Sequence, residues 1–131
     1  SHLRRAADVF ASHVAIIYGQ TRRTYADHYA RCTQLASALT KSGVTPGQVV
    51  ATLLPNIPAQ VEAHFGVPAC GAVLNTINTR LDIDTVNYIF DHGEARVVLV
   101  DTQFLELAEA ACNGLNAPPQ IIDVPDTGAG F

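Results

Sequence analysis

Three short apolar runs constrain this chain more than any other feature: residues 49–54, 71–74 and 95–100. Continuous apolar runs of this length, without polar alternation, suit strands covered on both faces, as in a parallel sheet. The segments between them have a different period. Residues 59–70 and 82–92 place apolar side chains at helical spacing. A further helix is expected from Thr102 or Asp101 to about Cys112, before a last strand at residues 120–124. Strand and helix therefore alternate, which predicts an α/β fold: a mainly parallel sheet with helices on both faces, joined by right-handed crossovers. Residues 49–54, 73–75 and 97–100 are expected as neighbouring or near-neighbouring parallel strands.

Local signals fill in the rest. Leu3, Ala6, Ala7 and Phe10 share one helical face, so the chain is expected to open on a short amphipathic helix. Residues 14–18 and 22–25 are β-prone runs around Gly19-Gln20-Thr21 and predict a β-hairpin. A long helix follows to about Ser42, with Tyr29, Cys32, Leu35, Ala36 and Leu39 as its buried stripe. Thr24 is its expected N-cap, with Asp27 three residues on, and Gly43 its left-handed terminator. Pro58 suits the first turn of the next helix, and Pro68 should end or kink it. Val61, Phe65, Val86, Ile89 and Phe90 are expected to face the sheet, Gly93 to close the third helix, and residues 125–131 to be a loop or frayed end.

With 131 residues the chain is the size of one domain. Its 48% hydrophobic and 15% charged residues lie on the apolar side of the globular average, which suggests a face covered by other parts of a larger protein or by a second copy. The formal charge of −4 supplies no electrostatic footprint for nucleic acid. Cys32, Cys70 and Cys112 are odd in number and widely spaced, which excludes a Cys-x-x-Cys motif and fits a reducing, cytoplasmic setting. No apolar run reaches the roughly 20 residues of a membrane span.

Few residues suggest chemistry. His28 and Cys32 stand four apart on the long helix, but two ligands do not make a metal site and Cys32 belongs to the buried stripe. His64, beside Glu62 and Phe65, has an acid-base reading and a packing reading. Residues 43–47 carry two glycines but precede a strand, so they form a turn instead of a phosphate cradle. Arg80 is different. It lies on an Asn-rich exit from a strand, where a planar, permanently charged guanidinium can hold a phosphate in a charge-assisted pair. The plainer reading is a surface arginine beside a turn that Asn75 and Asn78 satisfy.

The order of motifs adds to this. Leu54-Pro55-Asn56-Ile57-Pro58 is followed by Val73-Leu74-Asn75-Thr76-Ile77-Asn78-Thr79-Arg80-Leu81-Asp82. Around these stand Val14-Ala15-Ile16-Ile17-Tyr18-Gly19, Arg23-Thr24-Tyr25-Ala26-Asp27, Gly47-Gln48-Val49-Val50-Ala51, Ala63-His64-Phe65-Gly66-Val67-Pro68 and Val97-Val98-Leu99-Val100-Asp101. From the start to about Asp123, the chain resembles the N-terminal region of the adenylate-forming acyl-CoA synthetases, the AMP-binding ligases. The wording of residues 74–82 is most similar to the branch acting on short, medium or aromatic carboxylic acids.

The resemblance implies a partial N-terminal subdomain, residues 1–131, of a carboxylic acid:CoA ligase. Such an enzyme uses ATP and Mg²⁺ to make an acyl-adenylate, and the CoA thiol then displaces AMP. It also implies that Arg80, in Asn78-Thr79-Arg80-Leu81, contacts a CoA phosphate. The family's Ser/Thr/Gly-rich loop ending in Pro-Lys-Gly is not in this sequence, so the chain alone is expected to be inactive scaffold with no bound cofactor. No catalytic residue and no metal ligand is assigned to it. The competing expectation is a free-standing, non-catalytic α/β module that binds a ligand or protein.

Overall fold

The computed structural model describes residues 4, 14–18, 21–55 and 57–124, so the expected opening helix and the 125–131 loop lie outside the described residues. A hairpin comes first: β1 (Val14–Tyr18) and β2 (Thr21–Thr24) pair antiparallel, as the two β-prone runs require. Helix α1 (Tyr25–Lys41) follows at once. The Thr24 hydroxyl accepts from the Asp27 N–H at 3.2 Å and satisfies one orphan donor of its first turn. Beyond its last turn Gly43 adopts φ +94°, a left-handed conformation that glycine takes without a Cβ penalty.

From there strand and helix alternate through β3 (Val49–Leu53), α2 (Pro58–Ala69), β4 (Val73–Thr76), α3 (Ile83–His92), β5 (Ala95–Asp101), a 3₁₀ turn (Thr102–Phe104), α4 (Leu105–Ala111) and β6 (Gln120–Val124). Among the described residues the sheet has four strands in the order β4-β3-β5-β6, all parallel. The three strands expected to be neighbours are neighbours.

The register of β3 on β5, with Val50 opposite Val97 and Ala51 opposite Val98, sends alternate residues to opposite faces. On one face Val50, Val97, Leu99 and Val124 pack with Leu35 and Leu39 of α1 and Ala59, Ala63 and Val67 of α2. On the other, Ala51, Leu53, Val98 and Val100 pack with Val86 and Phe90 of α3 and Ala108 and Ala111 of α4. The central strands β3 and β5 are covered on both faces and read as unbroken apolar runs, whereas β4 at the edge leaves Val73 53% exposed.

Two expectations about buried faces need correction. Tyr29 is 36% exposed, and His28 takes its place in the buried stripe. In α2, Phe65 is 43% exposed and Val61 half-buried, while Ala59, Ala63 and Val67 face the sheet. Here α2 packs against α1 as well as the sheet, and small side chains line the close approach. Pro68 sits in the last turn of α2, which ends one residue later at Ala69, as expected. Gly93 closes α3 as expected, in a right-handed conformation followed by Glu94 at φ 51°. Glycine is needed there for closeness, since a Cβ would stand 2.7 Å from the Ile89 carbonyl oxygen.

Candidate functional site

Ligands of open parallel sheets sit beyond the carboxyl ends of the strands, where successive connections leave in opposite directions. In this sheet β3 leaves through α2 toward β4, and its neighbour β5 leaves through α4 toward β6, on the opposite face. The connections at that edge are residues 54–57 after β3, residues 77–82 after β4, and Thr102–Phe104 after β5. Arg80 is the only basic residue in their sequences.

The turn carrying Arg80 is fixed at several points. Ile77 is 6% exposed, and its N–H donates to the Thr52 carbonyl of β3 at 2.8 Å. Asn78 closes the turn: its Oδ1 accepts from the Arg80 N–H at 2.9 Å, and its backbone carbonyl accepts from the Leu81 N–H at 3.3 Å. Leu81 is half-buried against the core on the α3 side. Asp82 caps α3, accepting from the Thr85 N–H at 2.8 Å. The Asp82 carboxyl is held below its usual range by the hydrogen bonds of the Thr85 side chain and backbone. The Arg80 side chain is exposed at this edge. Asn78 therefore does the turn work expected of it, whereas Asn75 is a β4 residue paired in register with Ala51.

A second feature of this edge was not foreseen. Asp101, at the end of β5, is 2% exposed; its Oδ1 accepts from the Gln103 N–H at 3.0 Å, and its Oδ2 is buried without a hydrogen-bond partner. Thr52 Oγ1 is likewise buried, and among the described residues neither atom has a hydrogen-bond partner. Strand alternation puts both residues on the α1/α2 face of the sheet. An acid at the end of an apolar strand is the only sequence signal for it.

The other candidates separate from this edge. His28 is 3% exposed, with ring nitrogens 3.7 and 3.8 Å from Cys32 Sγ, and meets Phe65 edge-on at 5.3 Å between ring centres. Among the described residues no group of three His, Cys, Asp or Glu side chains is placed to hold a metal. The exposed His64 engages the Gln60 carbonyl through Nδ1 at 2.8 Å, a bond within its own helix. Its neighbour Glu62 is fully buried and accepts from Arg31 Nε of α1 at 2.8 Å. That pair joins α1 to α2 and serves packing. A cleft of about 290 Å³ between α1 and α2 is lined by residues that include Tyr29, Cys32, His64, Phe65 and Pro68. A larger one, about 500 Å³, lies at the opposite, amino end of the sheet between Gln48, Phe90, Glu94 and Arg96.

A doubly wound parallel sheet with an exposed arginine on a carboxyl-edge turn is an architecture in which α/β domains place ligands. The model of the AMP-binding enzyme family matches residues 3–128, and the chain belongs to that family. It is 48% identical over 107 residues to a peroxisomal acetate/butyrate–CoA ligase of Arabidopsis thaliana, covering 82% of this chain and 19% of that protein. Among solved structures it is similar to an anthranilate CoA ligase in complex with anthranoyl-AMP, at 29% identity and a TM-score of 0.89, covering 93% of this chain and 24% of that one. It is also similar to the N-terminal domain of FACL13 from Mycobacterium tuberculosis, at 29% identity and a TM-score of 0.84, covering 92% of this chain and 32% of that one. The chain thus spans about a fifth of the length of the curated relatives it matches. No helix of the described residues is long and apolar enough to cross a membrane.

Proposed function

We propose that this chain is the N-terminal portion of an ATP-dependent carboxylic acid:CoA ligase, and that Arg80 holds a phosphate of CoA at the carboxyl edge of the sheet. The observation that carries the reading is the Arg80 turn: the one basic residue of the three connections at that edge, on a loop braced at both ends. Its planar guanidinium offers a fork of donors to phosphate oxygens. Bracing limits the conformational freedom that binding would otherwise remove. ATP and Mg²⁺ belong to the longer protein, and none of the described residues is assigned to either.

A carboxylate oxygen is a poor leaving group, so the acid is first joined to AMP with release of pyrophosphate, and the CoA thiol then displaces AMP from the acyl carbon. In this scheme the present segment supplies scaffold and one edge of the CoA entrance. The acid is of the short, medium-chain or aromatic class. We place the protein in the cytoplasm; the relatives named as peroxisomal supply the competing compartment, and imaging of a tagged full-length protein separates the two.

The test is thioester formation by the protein extended to the length of its relatives, with ATP, Mg²⁺, CoA and a panel of short, medium and aromatic acids. An acyl-CoA and AMP should appear in equal amounts with at least one acid. No product with any of them would favour a non-catalytic binding module.

A further inference from the structure

Resting on the CoA reading of Arg80, the geometry points to Asn78 as the positioning residue that sets this arginine for its phosphate. Asn78 touches two donors of the turn at once: its side-chain Oδ1 takes the Arg80 N–H and its carbonyl takes the Leu81 N–H. The first of these bonds fixes the backbone of Arg80 itself, from which the side chain projects. The neighbouring anchors act elsewhere, since Ile77 ties the start of the loop to β3 and Asp82 ties its end to α3. Without Oδ1 the ends of the loop stay anchored, but the peptide before Arg80 is released. The long arginine side chain then starts from a spread of backbone directions, and more freedom is lost when it meets the phosphate.

Asn78 touches no substrate in this account, so its removal should change CoA capture and leave the chemistry alone. The experiment uses the full-length ligase and compares Asn78→Ala, Asn78→Gly, Asn78→Ser and Arg80→Ala. The apparent KM for CoA, kcat at saturating CoA, acyl-adenylate formation and thermal midpoint are measured for each. Asn78→Ala and Asn78→Gly should raise the CoA KM by about 3- to 10-fold, the scale of one lost turn hydrogen bond, with kcat and adenylation near wild type. Asn78→Ser, whose hydroxyl can accept from the same N–H, should recover most of the loss.

The alanine variant serves to test loss of Oδ1, and the glycine variant guards against strain in the turn as the cause. Unchanged CoA KM in both, with a raised KM in Arg80→Ala, would overturn the positioning role and leave the CoA reading intact. An equal fall in both half-reactions together with a lowered thermal midpoint would also overturn it, by showing that Asn78 only holds the fold. Arg80→Ala with a normal CoA KM would remove the CoA reading itself.

Discussion

Replacing Gly66 with alanine sets two opposed effects against each other in the packing of α1 on α2. Gly66 lies inside α2, where alanine is the better helix former by about 1 kcal/mol. Propensity alone predicts a gain. A Cβ at this position, however, would stand 2.8 Å from Leu35 Cδ2, 3.0 Å from Leu35 Cγ and 3.0 Å from the Cys32 carbonyl oxygen. Leu35 is 3% exposed and cannot turn to solvent, and the carbonyl belongs to the α1 backbone. The two helices must therefore separate by a few tenths of an ångström, and overpacking of this kind costs about 1–3 kcal/mol. The upper part of that range applies because one of the atoms met is backbone, so the net loss should be about 1–2 kcal/mol after the helix gain. Urea unfolding of the chain and its variant gives the difference directly. In a Leu35→Ala background the same substitution should cost less, since two of the three contacts are gone. A gain near 1 kcal/mol in the wild-type background would refute the close helix crossing.

Arg31→Ala leaves the fully buried Glu62 carboxylate without its 2.8 Å partner. Removing one member of a buried pair costs about 3–5 kcal/mol, and partial exposure of Arg31 lowers this to about 2–3 kcal/mol; a loss under about 0.5 kcal/mol in urea unfolding would contradict it. Asp82 has a folded-state pKa below its unfolded value, so its ionised form contributes stability above the unfolded pKa and loses it as pH falls through the folded one. The difference in urea midpoint between the chain and Asp82→Asn should therefore shrink as pH falls from neutral into the acid range, and a difference that stays constant would contradict the linkage.

Strands β3 and β5 were legible because burial on both faces leaves no polar alternation, and β6, though partly exposed, matches the expected residues 120–124 without a shift. The Thr24 cap was legible because it is local: the residue sits three positions from the N–H group it serves. What sequence reasoning missed depends on partners distant along the chain. Glu62 looks like a solvent-facing acid until α1 brings Arg31, 31 positions away, against it. Phe65 looks like a core anchor, yet α2 reaches the sheet through alanines because α1 competes for its larger face. Arg80 and the turn residue Asn78 were visible as a motif. The bracing of that turn by Ile77 on β3 was not, since it needs the β3–β4 pairing.

The central claim is that this segment is scaffold and CoA edge for an adenylating ligase whose activating machinery lies elsewhere in the longer protein. Pyrophosphate release with ATP, Mg²⁺ and a carboxylic acid tests it most directly, measured side by side on the 131-residue chain and on the protein extended to the length of its relatives. The extended protein should release pyrophosphate only when a suitable acid is present, and the chain alone should stay at background. Acid-dependent pyrophosphate release by the chain alone, or none by the extended protein with any acid of the panel, would contradict the account.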